Sequence, residues 1–233
     1  MPTVESIRSF WNEKAKENAY WYVSSAVSYD KPRDLDEFWQ SGGRIWTQLK
    51  EIIGYRPGRS DCVAEIGCGV GRLSRAIACD VRHVDAFDIS DEMLDIAQQA
   101  RLRNVTFHRA QGFGLGQLAD CSAEVVLAYC VFQHLPSIDA LSAYLNEMVR
   151  VAKPGGIIAF SLVPRTETDR LMPFLRARAF LREKALRRGP RGIHRREWIG
   201  IKPRVEEVHR IAPIPLKRVD LFGDLWLFFG TKR

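Results

Sequence analysis

The stretch AEIGCGVGR, Ala64 to Arg72, decides the fold. A short apolar run, 63–66, ends in three glycines at alternate positions, and a helical pattern begins at Arg72. A glycine loop between a strand and a helix lets the backbone approach a ligand closely and points N–H groups at it. The dinucleotide fingerprint G-x-G-x-x-G needs a glycine where Arg72 stands, so the pattern here is E-x-G-x-G-x-G. Taken alone, the loop suits a phosphate, a dinucleotide or only a tight turn.

Outward from this loop, short apolar runs alternate with helical patterns, which is typical of a sheet wound with crossover helices. The predicted strands span 63–66, 81–89, 105–108, 123–131 and 157–163, followed by a hairpin of 216–221 and 225–230. The predicted helices span 72–78, 91–101 and 137–151, with Ser90 as the N-cap of the second. Lys153-Pro154-Gly155-Gly156 is predicted to turn the chain into the fifth strand. We therefore predict an α/β fold with a doubly wound, mostly parallel seven-stranded sheet and an antiparallel C-terminal hairpin.

Two segments flank or interrupt this pattern. Residues 1–60 are rich in Trp and Tyr and form a predicted N-terminal helical region beside a main domain of 61–233. Within that domain, an insert at about 165–204 has 13 Lys/Arg against four Asp/Glu, a net +9 in a chain whose total is +7. The basic character is therefore local. It suits an anionic acceptor or the phosphates of a membrane surface or nucleic acid, and the alternative is a solvated face.

Composition limits the class of protein further. With 233 residues, 46% hydrophobic and 27% charged, the chain has the proportions of one globular core. No apolar run reaches the roughly 18 residues of a membrane span, and no secretion signal opens the chain, so we expect a soluble, cytoplasmic protein. The five cysteines form no C-x-x-C pair and have no histidine cluster at zinc spacing. We expect reduced thiols and no metal.

A carboxylate at the end of the second predicted strand gives the second clue to a ligand. Asp88 ends the strand in VDAFDIS, where an acid accepts both hydroxyls of a bound ribose. Asp85 is a competitor three residues earlier, and a solvated strand-end carboxylate is the structural alternative. Position favours Asp88, because Ser90 then starts the next helix.

The set of motifs resembles the class I S-adenosylmethionine (AdoMet)-dependent methyltransferase family. The matching pieces are EIGCGVG at 65–71, VDAFDIS at 84–90 followed by Met93-Leu94, VFQHL at 131–135 and KPGG at 153–156. They occur in the order and spacing of that family, over about 62–163 plus the closing hairpin. The resemblance implies a Rossmann-like fold, AdoMet as cofactor and S-adenosylhomocysteine as product.

The same resemblance implies roles for individual residues. The loop 67–71 would hold the methionine moiety, Glu65 would order it and Asp88 would take the ribose. Many relatives have an acid after the third strand, whereas Gln111 and Phe113 stand in that region here. The residues implied in cofactor binding are Glu65, Gly67, Cys68, Gly69, Gly71, Arg72, Asp88, Ile89, Met93, Gln111, Gly112, Phe113 and Tyr129.

Candidate catalytic and acceptor-binding residues follow from position. A general base is needed where the acceptor loses a proton, as a hydroxyl does. His134 lies just past the carboxyl end of the fourth strand, beside the expected crevice, and is the candidate base; the alternative is a structural role in that turn. Weaker candidates are Tyr129, Glu167, Asp169 and His194. Trp21 and Trp39, in a region that the family often builds into a lid, and Arg178 and Arg182 of the insert are candidate acceptor-binding residues.

Three functions remain open. The first is a small-molecule methyltransferase acting on a hydroxyl of an anionic, glycan-like or lipid-linked acceptor. The second is an RNA methyltransferase that uses the basic insert, although the sequence has no separate RNA-binding domain and no Asn/Asp-Pro-Pro-aromatic motif. The third is a non-catalytic AdoMet-binding module. An NAD-linked oxidoreductase is disfavoured by the glycine spacing.

Overall fold

The computed structural model describes residues 2–24, 29, 35–165, 190–192 and 194–233. Its helices are α1 (Val4–Val23), α2 (Leu35–Ile53), α3 (Arg72–Ala78), α4 (Asp91–Gln98), α5 (Ile138–Val151), α6 (Arg196–Ile199) and α7 (Val205–Ile211). Its strands are β1 (Cys62–Ile66), β2 (His83–Asp88), β3 (Val105–Arg109), β4 (Ala123–Ala128), β5 (Ala152–Leu162), β6 (Lys217–Phe222) and β7 (Leu225–Thr231). A single 3-10 turn, Phe132–His134, lies between β4 and α5.

The seven strands form one sheet in the order β3-β2-β1-β4-β5-β7-β6. The first five strands pair in parallel, and the β6–β7 hairpin joins β5 antiparallel through β7. The predicted fold class is confirmed. Since β1 lies between β2 and β4, the strand order reverses there, and a crevice opens at the carboxyl ends of these strands.

Both faces of the sheet are covered, which is why the central strands are apolar along nearly their whole length. On one face, α5 packs Leu141, Leu145 and Met148 against Phe160 and Phe228, and all five side chains are buried. On the other face, α2 and α3 cover β1, β2 and β4 with a second cluster. Its buried members include Trp46, Leu49, Ile77, Val84 and Leu127. The two clusters hold the crevice-forming strand ends rigidly in place.

Two strand boundaries differ from the prediction by three residues or more. Strand β4 ends at Ala128, not at 131, because Cys130 has a left-handed φ of 59° and the 3-10 turn follows. Strand β5 begins at Ala152, so the Lys153–Gly156 segment lies inside it as a bulge. The register moves from Ala123–Ala152 to Val125–Ile157 across this bulge. These residues therefore interrupt the hydrogen bonding between β4 and β5 without ending β5.

The N-terminal region consists of two helices. Helix α2 packs on α3, and α1 docks on the start of α4, where Asn12 Oδ1 accepts from the Ser90 hydroxyl at 2.7 Å. Helix α1 is kinked at Asn18, whose φ of −167° is non-helical and whose Oδ1 accepts from the Trp21 N–H at 3.3 Å. Within the described residues, no helix has both the length and the apolar character needed to cross a membrane.

Helix α2 approaches α3 at a glycine. A Cβ on Gly42 would lie 2.3 Å from the Arg72 carbonyl oxygen, whereas a Cβ on Gly43 would meet nothing within 4 Å. We predict that Gly42→Ala lowers the free energy of unfolding by about 1–3 kcal/mol, because the two helices must separate. Gly43→Ala is the matched control and should raise it by about 0.5–1 kcal/mol through helix propensity. Urea unfolding of both variants tests this, and equal effects would contradict it.

Candidate active site

A cavity of about 1040 Å³, including its open mouth, lies at the carboxyl ends of β1, β2 and β4. Ten of the thirteen residues implied in cofactor binding line it: Glu65, Gly67, Cys68, Gly69, Arg72, Asp88, Ile89, Met93, Phe113 and Tyr129. The other three lie outside its wall. Gly71 is the N-cap of α3, Gln111 is exposed, and the Gly112 carbonyl accepts from the Tyr144 hydroxyl at 3.1 Å. The cofactor-binding roles of all thirteen stay predictions.

The glycine loop packs closely against the segment that follows β4 and against α1. A Cβ on Gly67 would lie 2.1 Å from a methyl of Val131, and one on Gly69 would lie 2.6 Å from a methyl of Val23. Both glycines have left-handed φ angles, 73° and 53°. Glycine is therefore required here for backbone conformation and for space.

The N–H groups of the loop do not point at a ligand as the sequence predicts. The N–H groups of Gly67 and Cys68 donate to the Phe87 carbonyl at 2.7 and 2.9 Å, and Gly69 donates to Asp88 Oδ2 at 2.7 Å. That prediction is wrong for these three residues, because strand β2 supplies acceptors that the local sequence does not reveal. Since these donors are used internally, the loop offers close approach and lacks the exposed amide groups of a phosphate cradle.

Asp88 closes the cavity beside the loop. Its Oδ2 accepts from Gly69 and its Oδ1 from the Ser90 N–H at 2.9 Å. Burial raises the pKa of Asp88, while these backbone donors oppose the shift by favouring the carboxylate. Its competitor Asp85 does not line the cavity and instead pairs with His108 Nε2 at 2.7 Å. Each Asp88 oxygen has a further lone pair with which a ligand hydroxyl can bond.

Glu65 lines the cavity and is 3% exposed. Its Oε2 accepts from the Ser74 hydroxyl at 2.5 Å. Burial raises the pKa of Glu65 to about 7, although the Ser74 hydrogen bond and the charge of Arg72 lower it. A carboxyl group with this pKa changes charge near neutral pH, so it responds to a cation placed next to it.

His134 lies in the cavity wall, in the 3-10 turn that follows β4. Its Nδ1 hydrogen-bonds to the Trp198 carbonyl. Because a carbonyl only accepts, Nδ1 carries the proton and Nε2 keeps its lone pair. Burial lowers the pKa of His134 to about 4, so the ring is neutral at physiological pH. The rings of Trp11 and Trp198 flank it, each centroid 5.1 Å away.

Helix α1 covers the cavity with residues other than those singled out from sequence. Trp11 and Tyr22 line the cavity. Trp21 stacks on Trp198 at 6.2 Å and Trp39 packs on Phe38 at 5.0 Å, and both lie outside the cavity wall. The kink at Asn18 changes the helical phase, which sequence periodicity alone does not reveal.

Further wall residues that the sequence analysis did not single out include Cys130, Val131 and Tyr144. Tyr144 has helical spacing from Leu141 and Met148, which indicates the buried face of α5 and was the available signal. Of the weaker base candidates, Tyr129 lines the cavity and His194 does not. Glu167, Asp169, Arg178 and Arg182 lie outside the described residues.

Comparisons with known proteins agree with this geometry. Residues 64–160 match the family model described as a methyltransferase domain. The chain is 32% identical over 182 residues to a ubiquinone biosynthesis O-methyltransferase of Agrobacterium fabrum, covering 76% of this chain and 66% of that one. It is 30% identical over 181 residues to the Hahella chejuensis enzyme of that name, covering 72% of this chain and 71% of that one.

Solved structures share the fold. Magnesium protoporphyrin IX methyltransferase from Synechocystis PCC 6803, solved with bound S-adenosylhomocysteine, aligns with a TM-score of 0.62 at 18% identity and covers 99% of this chain and 100% of its own. The chain belongs to the class I AdoMet-dependent methyltransferases, with a Rossmann-like fold. AdoMet is therefore the methyl donor of this enzyme.

Substitution of Asp88 tests its predicted role in cofactor binding. We predict that Asp88→Asn weakens S-adenosylhomocysteine binding about 10- to 150-fold, because a charged acceptor facing two N–H donors and the ligand is lost. Asp85→Asn, on the same strand but outside the cavity, should change the affinity by less than about twofold. Isothermal titration calorimetry measures both. Equal affinities in the two variants would place the ribose elsewhere.

Glu65 gives a pH test. The affinity for S-adenosylhomocysteine should rise about tenfold from pH 6 to pH 8, because only ionised Glu65 attracts the ligand ammonium group and its pKa is about 7. Titrations across that range should show no such rise in Glu65→Gln. The stability of the fold should change with pH in the opposite direction to the affinity. Because the pKa of Glu65 in the folded state is above the ordinary 4.5, ionisation of Glu65 lowers the free energy of unfolding as pH rises from 4.5 to about 7. A pH-dependent affinity that survives in Glu65→Gln would exclude Glu65 as its cause.

Proposed function

We propose that this enzyme transfers the methyl group of AdoMet to a hydroxyl of a small molecule with an apolar body, and that His134 is the general base. The observation that carries the proposal is the tautomer of His134. A neutral imidazole with its Nδ1 proton held by the Trp198 carbonyl presents Nε2 as a proton acceptor in the cavity wall. The two relatives described above are O-methyltransferases by name, which supports an oxygen acceptor.

The residues of the cavity fit the proposed cofactor position. AdoMet supplies an electrophilic methyl on a cationic sulfur. Asp88 would accept from the ribose hydroxyls, Glu65 would attract the ammonium group, and the loop 67–71 would pack against the methionine chain. Phe113 and Tyr144 also line the cavity, with ring centroids 6.0 Å apart, and the adenine would lie against them.

The proposed acceptor end of the cavity is apolar. Ile7, Trp11, Tyr22 and Leu135 line the wall together with His134. Such a wall favours a hydrophobic or aromatic body and excludes water from the reacting groups. Positioning two reactants in such a site supplies a large part of the acceleration.

The finer hypotheses about the acceptor rest on other residues. The anionic, glycan-like and lipid-linked alternatives depended on Arg178 and Arg182, which lie outside the described part of the chain. At the described end of the basic segment, the Arg195 side chain is used in packing: its guanidinium lies 5.0 Å from the centre of the Phe10 ring, and its Nη1 lies 3.5 Å from Glu13 Oε2. We therefore favour the hypothesis of a small-molecule acceptor over those of an RNA acceptor and of a non-catalytic module. The lid role of 1–60, the acceptor role of 165–204 and the cytoplasmic location stay predictions.

His134→Ala tests the proposed base. It should lower kcat about 10²- to 10⁴-fold and leave S-adenosylhomocysteine affinity unchanged, because it removes the proton acceptor and not the cofactor site. The assay is transfer of tritiated methyl from AdoMet into fractionated extract, with the label expected in nuclease-resistant, low-molecular-weight material. Normal turnover in His134→Ala would make the histidine structural, and label lost on nuclease treatment would favour the RNA hypothesis.

Gly200 tests how the base is oriented. A Cβ there would lie 1.9 Å from the Gln133 carbonyl oxygen, so Gly200→Ala should displace α6 and with it the Trp198 carbonyl that holds His134. We predict a lower kcat with unchanged cofactor affinity. Gly223→Ala is the matched control, because Gly223 has the same φ of 55° but its Cβ would meet nothing within 4 Å. Nitrogen-15 NMR of the histidines should report loss of the Nδ1–H tautomer in Gly200→Ala alone. An unchanged spectrum and rate would contradict this account.

A further inference from the structure

A second glycine-rich stretch, GFGLG at 112–116, lies in the loop between β3 and β4 and contains neither helix nor strand. A Cβ on Gly112 or Gly116 would meet nothing within 4 Å, so these glycines are not required for close packing. Glycine loses more conformational freedom on folding than any other residue, so this stretch is costly to order. Phe113 nevertheless lines the cavity. This part of the cavity wall therefore lies on a backbone that needs support from elsewhere.

Helix α5 supplies that support through three polar side chains spaced three residues apart. Tyr144, Glu147 and Arg150 occupy neighbouring positions along one side of the helix. The Tyr144 hydroxyl donates to the Gly112 carbonyl at 3.1 Å, and Glu147 Oε2 accepts from the Leu115 N–H at 2.9 Å. The loop backbone is therefore tied to α5 at two points, three residues apart in the sequence.

Arg150 completes this arrangement, because all five N–H donors of its guanidinium are used. Nη2 donates to the Leu115 carbonyl at 3.0 Å, and Nη1 donates to the Leu118 carbonyl at 2.9 Å. Nη1 also donates to Asp120 Oδ1 at 2.6 Å, while Nε and Nη2 donate to the Glu147 carboxylate at 2.7 and 2.9 Å. The pKa of Glu147 is lowered, chiefly by its hydrogen bond with Arg150, so the carboxylate is charged at neutral pH. One ion pair thus binds both backbone polar groups of Leu115.

The location of this ion pair suits it to ordering the loop. The side chains of Arg150 and Glu147 are 27% and 26% exposed, and partly exposed ion pairs add little to the stability of a fold. Their bonds to the loop backbone have a more specific result, because they fix the buried Leu115 two residues after Phe113. The Phe113 ring centroid in turn lies 6.0 Å from that of Tyr144, and both rings line the cavity. The ion pair therefore determines where this aromatic part of the wall lies.

We propose that Glu147 and Arg150 are positioning residues for the cofactor, which hold Phe113 in the cavity wall before AdoMet binds. This inference rests on the cofactor position given under Proposed function, in which the adenine lies against Phe113 and Tyr144. A ligand that meets an ordered wall does not have to order the loop itself, so it binds more tightly. Neither Glu147 nor Arg150 lines the cavity, so both act on the cofactor through the loop.

Calorimetric titration with S-adenosylhomocysteine tests the proposal in a double-mutant cycle. Arg150→Met should weaken binding about 5- to 50-fold, because the ligand must then order the loop. Phe113→Ala should weaken binding at least as much, through loss of the ring itself. The double variant should bind within about twofold of Phe113→Ala alone, because Arg150 acts through Phe113. A merely structural ion pair would lower the thermal stability and leave the affinity of the folded enzyme unchanged.

Two further variants complete the experiment. Arg44→Met is the matched control, because Arg44 pairs with Glu37 on the exposed surface of α2, across the sheet from α5, and it should keep the wild-type affinity. Arg150→Lys keeps the charge, but one ammonium group cannot replace the paired donors, so binding should weaken part way even if Arg150→Met folds poorly.

Three results would decide against these assignments. Additive losses of affinity in the double variant would overturn the proposal, because Arg150 would then act independently of Phe113. Wild-type affinity in Arg150→Met, or in Arg150→Lys where Arg150→Met does not fold, would overturn it as well. Unchanged affinity in Phe113→Ala would instead overturn the adenine position given under Proposed function.

Discussion

The junction between the glycine loop and strand β2 determines where every other part of the cavity lies. Three consecutive loop residues donate to the end of β2, two to the Phe87 carbonyl and one to the Asp88 carboxylate. Because the loop cannot move without breaking these bonds, the start of α3 is fixed relative to β1 and β2. The position of Arg72, the burial of Glu65 and the orientation of Asp88 all follow from this junction.

The sequence predicts the sheet well because burial on both faces leaves a simple signal. Strands β1 and β4 are apolar along nearly their whole length, and α3 begins at Arg72 as predicted. The C-terminal hairpin was also recognisable from its short turn. The observed strand ends differ from the predicted ones where the backbone conformation changes locally. The left-handed Cys130 ends β4 early, and the bulge at Lys153–Gly156 extends β5.

The site is less predictable, because its details depend on partners that are distant in the sequence. Position alone favoured Asp88 over Asp85, and the structure places Asp88 in the cavity wall. The loop donors were misjudged because their acceptors belong to another strand. The sequence pattern does not reveal that Trp11 and Tyr22 line the cavity and Trp21 does not, because α1 is interrupted at Asn18. The partner of His134, a backbone carbonyl 64 positions later, leaves no trace in the sequence pattern.

Helix α1 lines the cavity and also contacts residues 190–192, which lie shortly before α6 and the Trp198 carbonyl that binds His134. Glu17 Oε1 accepts from the Tyr29 hydroxyl at 2.6 Å and from the Arg191 N–H at 3.1 Å, while its Oε2 pairs with the buried Lys14 ammonium at 2.7 Å. These bonds fix residues 190–192 against α1, a few positions before α6. The same helix also places Trp11 against the rings of His134 and Trp198. Helix α1 and the His134 imidazole are thus held in place by the same set of contacts.

The low pKa of His134 limits how the proposed base works. An acceptor hydroxyl is a far weaker acid than an imidazolium whose pKa is about 4, so proton transfer before methylation is unfavourable. His134 would instead accept a hydrogen bond from the hydroxyl and aim an oxygen lone pair. The hydroxyl becomes strongly acidic only as its oxygen gains a bond to carbon, and Nε2 then takes the proton. A base that takes the proton this late in the reaction depends on its position more than on its basicity. The Trp198 carbonyl and the flanking Trp11 and Trp198 rings hold His134 in that position.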